Sequence, residues 1–395
     1  MVVLLTRSSF LQVSHTAATR CFTSIINRQY QASALASSQS PRVAVLYQAL
    51  EPPIIHGVRK PMKPGGYRDS GADIAYVLQS GNVDILTRTA HPDPRNEDDW
   101  CWSDTEEGIL AAVDKGATHL WANTILFSSH PLQTSSKLDS CSPDLKVVGQ
   151  PPKLVERFDD KEYVNDLLRR DSSFPMPNAW VVETAESKIL DCLPYPVVGK
   201  PIRGRGSHGV KLCMNKQELQ AHLTEILAES PRVMVEQFLS GTEGTVTVMP
   251  PSKDVPYYWS LPLVLRFNHD HGIAPYNGTV AVVMNSRALT REENDANPFY
   301  KAICRHCEHV GEKLKTTAPI RIDVRQYGQG QDSNVFAIFD VNMKPNMTGP
   351  GRPGRENQAS LTGMAASSIS WDYTALLKYM LASSRTLQEL RSLEI

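Results

Sequence analysis

The chain has 395 residues, 41 basic against 42 acidic side chains, a formal net charge of −1 and 41% hydrophobic residues. That length suggests two or three domains with enough apolar mass for real cores, and the charge balance excludes a global electrostatic case for binding nucleic acid or a membrane surface. No apolar run approaches the roughly 18 residues of a bilayer span, and seven irregularly spaced cysteines make no disulfide framework, which fits a reducing compartment.

Residues 1–50 contain no Asp or Glu, while Arg7, Arg20, Arg28 and Arg42 lie among many Ser and Thr residues. This is the composition of a mitochondrial transit peptide; a plain tail and a start codon placed too early are the alternatives. The expectation is a targeting or disordered leader over 1–40, a mitochondrial matrix location with cytoplasm as the alternative, and a fold beginning near Pro41. Arg42-Val43-Ala44-Val45-Leu46-Tyr47 and Val83-Asp84-Ile85-Leu86-Thr87 read as buried strands. Between them helical spacing covers 70–79 and stops at Gly81. Ser103-Asp104-Thr105-Glu106 reads as a capping box, with Ser103 as the cap and Glu106 reaching back. The helix it starts carries Ile109, Leu110 and Val113, and strands follow at 118–123 and 146–149. Such alternation predicts an open parallel α/β domain over 41–150. Pro52, Pro53, Pro61, Pro64 and Gly65-Gly66 mark a long loop at the carboxyl end of the first strand, where these sheets place ligands. Trp100 and Trp102 read as a surface-packed pair.

Pro151-Pro152 marks a boundary. A helix over 159–170 leads into strands at 181–182, 196–200, 210–214 and 233–238, then at 245–248, 257–265 and 279–284. A helix over 298–314 precedes strands at 321–327 and 335–342, and an amphipathic helix over 373–393 ends the pattern.

Gly204-Arg205-Gly206-Ser207-His208-Gly209 matches G-x-G-x-x-G, a weak signal alone. A dinucleotide site needs a helix after the glycines, but Val210-Lys211-Leu212-Cys213-Met214 alternates like a strand. Strand, glycine loop and strand make a hairpin lid whose backbone N–H groups can fold over phosphates, with Lys200 placed to neutralise them. An ordinary surface hairpin is the plainer alternative. Arg321-Ile322-Asp323-Val324 and Phe339-Asp340-Val341-Asn342 also alternate, so Arg321 shares a face with Asp323, and Asp340 with Asn342. The turn-rich 328–334 segment predicts a hairpin that gathers two carboxylates and an amide, a hard oxygen set suited to Mg2+ and nucleotide phosphates. A solvated charged sheet face is the alternative, disfavoured because two facing acids repel without a cation. Cys304, His306, Cys307 and His309 crowd together, but the line Ile303, Cys307, Val310, Leu314 makes Cys307 a core residue. His269 and His271 read as a solvated loop near the substrate side, with substrate carboxylate binding as the minor reading.

Read in order, these segments resemble the ATP-grasp superfamily, most closely the D-alanine–D-alanine ligase-like carboxylate–amine ligases. The resemblance covers about 153–348: Asp160-Lys161 at a helix start, Val198-Gly199-Lys200-Pro201 with the glycine loop, Val235-Glu236-Gln237-Phe238-Leu239-Ser240-Gly241-Thr242-Glu243, then the Arg321 and Asp340 motifs through Met343-Lys344-Pro345-Asn346-Met347-Thr348. It implies a mixed α/β and α+β chain: an N-terminal open parallel α/β domain and a two-lobed ATP-grasp fold, with a central lobe over 151–235 and a C-terminal lobe over 236–395. By resemblance Lys161 and Lys200 contact ATP phosphates beneath Gly204, Gly206 and Ser207. Glu236, Gln237, Phe238 and Leu239 form the adenine hinge, and Glu243 binds ribose hydroxyls. Asp323, Asp340 and Asn342 hold one or two Mg2+ ions, for which Mn2+ can substitute, and Arg321 steadies the reacting centre. The implied activity joins small-molecule carboxylate and amine substrates through an acyl phosphate, releasing ADP and phosphate, with no nucleic acid or membrane span and with a homodimer compatible. A small-molecule kinase and a non-catalytic nucleotide-binding protein are the alternatives. The chain departs from the family at Asp340, where Glu is usual, and over 343–352 and 266–272, so the substrates stay unidentified.

Overall fold

In the computed structural model, which describes residues 40–269, 271–273 and 281–394, the apolar segment β1 (Arg42–Tyr47) is buried through Val43, Ala44, Val45 and Leu46. A strand buried on both faces needs cover from both sides, the situation of a parallel sheet. β1 pairs in parallel with β2 (Asp84–Ile85), β3 (Cys101–Ser103) and β4 (His119–Asn123), and β4 with β5 (Lys146–Val148). Helices α1 (Arg68–Ser80) and α2 (Glu106–Asp114) supply crossovers. The open parallel sheet read from the sequence is thus present. Of the leader expected over 1–40, residues 1–39 lie outside the described residues, and the transit-peptide expectation with them.

Two local expectations need correction. Thr105, not Ser103, caps α2, accepting from Gly108 N at 3.2 Å. Ser103 is held extended opposite Tyr47, and Glu106 bonds Ser135 and Lys137 instead of the cap. Trp100 and Trp102 are buried, not surface-packed. Trp100 donates to Asp93 O at 2.9 Å and meets Tyr76 edge-on, while Trp102 donates to Leu86 O at 2.7 Å. A backbone carbonyl for each indole N–H is what makes burial affordable beside so many acids.

Helices α3 (Pro152–Phe158) and α4 (Lys161–Arg169) follow; Asp160 caps α4 by accepting from Tyr163 N at 2.9 Å. Strands β6 (Ala179–Val182), β7 (Val197–Pro201), β8 (Lys211–Cys213) and β9 (Val233–Gln237) then form an antiparallel sheet in the order β8-β7-β9-β6. Helix α5 (Lys216–Ile226), which the sequence reading does not place, seats Leu219, Leu223 and Ile226 in the core of this sheet.

The third sheet is antiparallel. It contains β10 (Glu243–Met249), β11 (Trp259–Ser260), β12 (Val264–Arg266), β13 (Ser286–Ala288), β14 (Ile320–Gln326) and β15 (Phe336–Asn342). The order is β13-β12-β10-β14-β15, with β11 also on β10. Helix α6 (Pro298–Lys313) buries Ile303, Cys307 and Val310, so Cys307 is a core residue. The expected strand over 257–265 is broken into β11 and β12 around Pro262, which has no N–H to give a ladder. Of the strand expected over 279–284, residues 279 and 280 lie outside the described set, and Val282–Met284 form a 3-10 turn before β13.

Helix α7 (Leu361–Ser367) is a further element absent from the sequence reading. The long helix expected over 373–393 is instead α8 (Tyr373–Ala382), β16 (Arg385–Thr386) and α9 (Leu387–Ser392). Thr386 and Glu389 form a capping box that restarts the helix, and β16 pairs antiparallel with β5 of the first sheet. Among the described residues no helix is long and apolar enough to cross a membrane.

Candidate active site

All the residues assigned to the site from sequence line one cleft of about 940 Å³ between the second and third sheets. Its roof is the β7–β8 hairpin, where Lys211 pairs with Gly199 in antiparallel register. The loop at its tip runs through the left-handed region at Gly206 (φ 60), Ser207 (φ 59) and Gly209 (φ 69). A side chain at Gly209 would put a Cβ 2.7 Å from Ile226, so glycine is needed there for space as well as conformation. His222 of α5 pins the base of the hairpin, its Nε2 lying 3.3 Å from Gly199 O and 3.2 Å from Gly209 O. Burial holds its imidazole below the ordinary range, as suits a neutral ring donating one N–H to two carbonyls. Backbone N–H groups in such a loop form a concavity for anions.

Lys200, on β7, is buried with Glu236 of β9, Nζ to Oε2 at 2.6 Å. Its other partner is Phe339 O at 2.9 Å, and Asn165 of α4 donates to the second Glu236 oxygen at 2.9 Å. Lys161, the first residue of α4, reaches Asp340 Oδ1 at 2.7 Å. Burial pulls the Lys161 ammonium down, but Asp340, with Asp159 and Asp323 behind it, outweighs burial and the group sits above the ordinary lysine range. Burial would likewise raise the Asp340 carboxyl, yet Lys161, Lys200 and Arg321 together hold it below the usual carboxylate range.

The β14–β15 hairpin has the expected register, Asp323 opposite Asp340 and Arg321 opposite Asn342, with an irregularity just after Asp323. Arg321 grips Asp323 with two bonds, Nε to Oδ1 at 3.0 Å and Nη2 to Oδ2 at 3.2 Å. Asn342 Nδ2 faces Asp323 Oδ2 at 3.2 Å and Asp340 Oδ2 at 3.4 Å. Two carboxylates and an amide fit a hard divalent cation, provided the amide turns its oxygen inward, an orientation set by the local bonding network. Among the described residues no group of three or more His, Cys, Asp or Glu side chains could hold a metal alone. The remaining coordination positions would therefore come from outside the protein, as is usual for Mg2+ at phosphates.

At the other end of the cleft lies the 236–239 segment. Gln237 and Phe238 donate their N–H groups to Asn178 O and Pro196 O, which fixes the segment as a ledge. Glu243 is buried and accepts from His269 at 2.9 Å and Arg325 at 3.3 Å. His269 is thus not a solvated residue near the substrate side but a partner of the proposed ribose acid. Arg325 was not found by sequence reasoning. It also donates to Gly241 O at 3.1 Å and Gly272 O at 2.7 Å, and its guanidinium lies 4.8 Å from the Phe238 ring centroid. The signal was available: Arg321, Asp323 and Arg325 are spaced two apart on one strand.

Residues 176–381 match the family model described as the D-ala D-ala ligase C-terminus, more than half of the chain. The chain belongs to this family. Among curated proteins it is similar to the D-alanine–D-alanine ligase of Marinomonas sp. (strain MWYL1), 28% identical over 48% of this chain and 53% of that one. It is also similar to that of Carboxydothermus hydrogenoformans, 34% identical over 42% of this chain and 50% of that one. The chain spans about half the length of these curated relatives. The fold extends further. The solved D-alanine–D-alanine ligase from Bacillus anthracis complexed with ATP superposes with a TM-score of 0.60 over 89% of this chain and 99% of that one, at 17% identity. VanG D-Ala:D-Ser ligase from Enterococcus faecalis gives 0.57 over 87% and 99%, at 13% identity. The fold is therefore the ATP-grasp arrangement expected from the sequence, with a preceding parallel α/β region.

Proposed function

We propose that this chain is an ATP- and Mg2+-dependent ligase that joins a carboxylate to an amine and releases ADP and phosphate. The observation that carries the reading is the convergence of Lys161, Lys200, Arg321, Asp323, Asp340 and Asn342 on one cleft under a glycine loop. Family membership supports it, as do relatives named D-alanine–D-alanine ligases and a similar structure complexed with ATP.

The chemistry needs little covalent work from the protein. A substrate carboxylate oxygen attacks the γ-phosphorus, and ADP leaves. The amine nitrogen then attacks the carbonyl carbon of the acyl phosphate, and phosphate departs with the former carboxylate oxygen. Lys161 and Lys200 are the cations for the phosphates, Lys161 beside Asp340 and Lys200 held in place by its buried pair with Glu236. Mg2+, held by Asp323, Asp340 and Asn342, would neutralise phosphate charge. Arg321 is the donor for the oxyanion that forms when nitrogen adds, a contribution on the order of 10²–10³ in rate. The 236–239 ledge receives the base, and Glu243, steadied by Arg325 and His269, the ribose. The test is a screen of acid and amine pairs with Mg2+ and ATP, following phosphate release and identifying products by mass spectrometry. An amide formed with ADP and phosphate is the expected result. A phosphorylated small molecule without an amide would turn the reading to a kinase, and ATP binding without turnover to a non-catalytic nucleotide-binding protein.

A further inference from the structure

The loop after β1 brings a buried tyrosine into an unusual setting. Tyr67 sits at the junction of Gly65-Gly66 and α1 with φ 65 and ψ 16, a conformation that costs a non-glycine residue about 1–3 kcal/mol and persists only where its surroundings enforce it. They do so here through Asn123, the last residue of β4. Its Nδ2 donates to Tyr67 O at 2.9 Å and to Ser70 Oγ at 3.1 Å. The chain also folds back on the strand end, Gln48 N donating to Gly66 O at 2.8 Å.

Cations from three separate segments converge on the Tyr67 ring. Lys344 Nζ lies 3.7 Å from its centroid, Lys63 Nζ 5.2 Å and Arg205 Cζ 5.5 Å. Nearby acids are already engaged. Asp69 takes Lys63 at 2.7 Å on both oxygens and faces Arg355 at 3.7 Å. Asp73 is gripped by Arg352 and Arg355, each at 2.8 Å. Among the described residues Lys344 and Arg205 have no carboxylate partner. The hydrogen-bond acceptor of Lys344 is a neutral amide oxygen, Asn123 Oδ1 at 2.8 Å.

The position of this cluster says which ligand it serves. Lys344 stands two residues beyond Asn342, and Arg205 belongs to the glycine loop over the same cleft. The cluster therefore adjoins the Asp340–Asn342 end of the cleft and not the Glu243 end. Asn123 and Tyr67 lie at the carboxyl end of the parallel sheet, the usual ligand crevice of such sheets. A second, small pocket, lined among others by Thr124, Val148, Gln150, Met343 and Met347, continues from Asn123 and Lys344. It offers an apolar wall for a carbon skeleton.

The geometry points to a binding site for a second carboxylate, so that one substrate of this ligase is a dicarboxylate or an acidic amino acid, its non-reacting carboxylate held by Lys344 and Arg205 above Tyr67. This rests on the ligase reading of the adjoining cleft. Isothermal titration of the full chain, saturated with Mg2+ and a non-hydrolysable ATP analogue, tests it with matched pairs: glutarate against butyrate, and L-glutamate against L-2-aminobutyrate. In at least one pair the diacid should bind 10-fold or more tightly than its partner. Lys344→Met and Arg205→Met should each remove most of that preference, while Lys344→Arg retains part of it. Thermal melts of the variants check that they fold, and Arg205, on the loop, gives a second route if Lys344→Met does not. Equal affinity within both pairs, no binding of any acid, or a preference that survives Lys344→Met and Arg205→Met would overturn the inference. Diacid preference without amide formation in any pair would leave this site standing and remove the ligase reading. Amide formation from monoacids with no such preference would do the reverse.

Discussion

Substituting Lys200 by Met should cost stability as well as activity, and the buried pair at its end sets the size of the effect. Lys200 and Glu236 are 4% and 3% exposed, with Nζ and Oε2 2.6 Å apart. Removing the lysine strands the Glu236 carboxylate in the interior with the Asn165 amide as its remaining described hydrogen-bond donor. Breaking one side of a buried ion pair in this way costs about 3–5 kcal/mol, whereas replacing both charges is often close to neutral. In urea unfolding, Lys200→Met should therefore lose about 3–5 kcal/mol, and Lys200→Met with Glu236→Gln should recover most of it, to within about 1 kcal/mol of the parent. Phosphate release should vanish in both, because the phosphate cation is gone from both. A Lys200→Met protein within about 1 kcal/mol of the parent, or a double variant no more stable than the single, would refute the reasoning.

Arg321→Met should lower kcat on the order of 10²–10³-fold with ATP affinity nearly unchanged, since its donors serve the reacting centre; steady-state phosphate release measures both. Arg325→Met should weaken binding of an ATP analogue about 10- to 100-fold by calorimetry, the loss of charged hydrogen bonds worth about 1.5–3 kcal/mol that steady Glu243 and Gly272. His119, on β4 and away from the cleft, should make stability acid-sensitive. Burial, with a smaller push from Lys146, lowers its imidazole from 6.5 to about 4. The unfolded chain then binds the extra proton between these values, so stability should fall as pH drops from about 6.5 to 4, by at most about 3 kcal/mol from this group. His119→Gln should flatten that part of the urea-midpoint profile relative to the parent.

The site was legible because its chemistry lies on strands, where a period of two shows which residues share a face. Arg321, Asp323, Asp340 and Asn342 are brought together by the register that this alternation implies. Arg325 continues the same alternation one residue beyond the Arg321–Val324 motif. His269 could not be assigned to Glu243 in this way, since a loop residue's partner depends on where a distant strand passes. The buried Lys200–Glu236 pair was equally invisible, because the register of β7 against β9, which sets Met234 opposite Lys200, is a tertiary fact. Elements failed where a local stop competes with apolar spacing. The run over 373–393 looks like one helix until the Thr386–Glu389 capping box is read as a new start. The tryptophans failed differently, since acidic neighbours do not expose a ring whose N–H finds a carbonyl.

The central claim is an acyl phosphate made and consumed in the cleft beneath the glycine loop, and oxygen tracing tests it most directly. With the acid substrate labelled by 18O in both carboxylate oxygens, and ATP, Mg2+ and the amine supplied, one labelled oxygen should appear in the released phosphate and one remain in the amide. Unlabelled phosphate, or label retained in a phosphorylated product, would contradict the account.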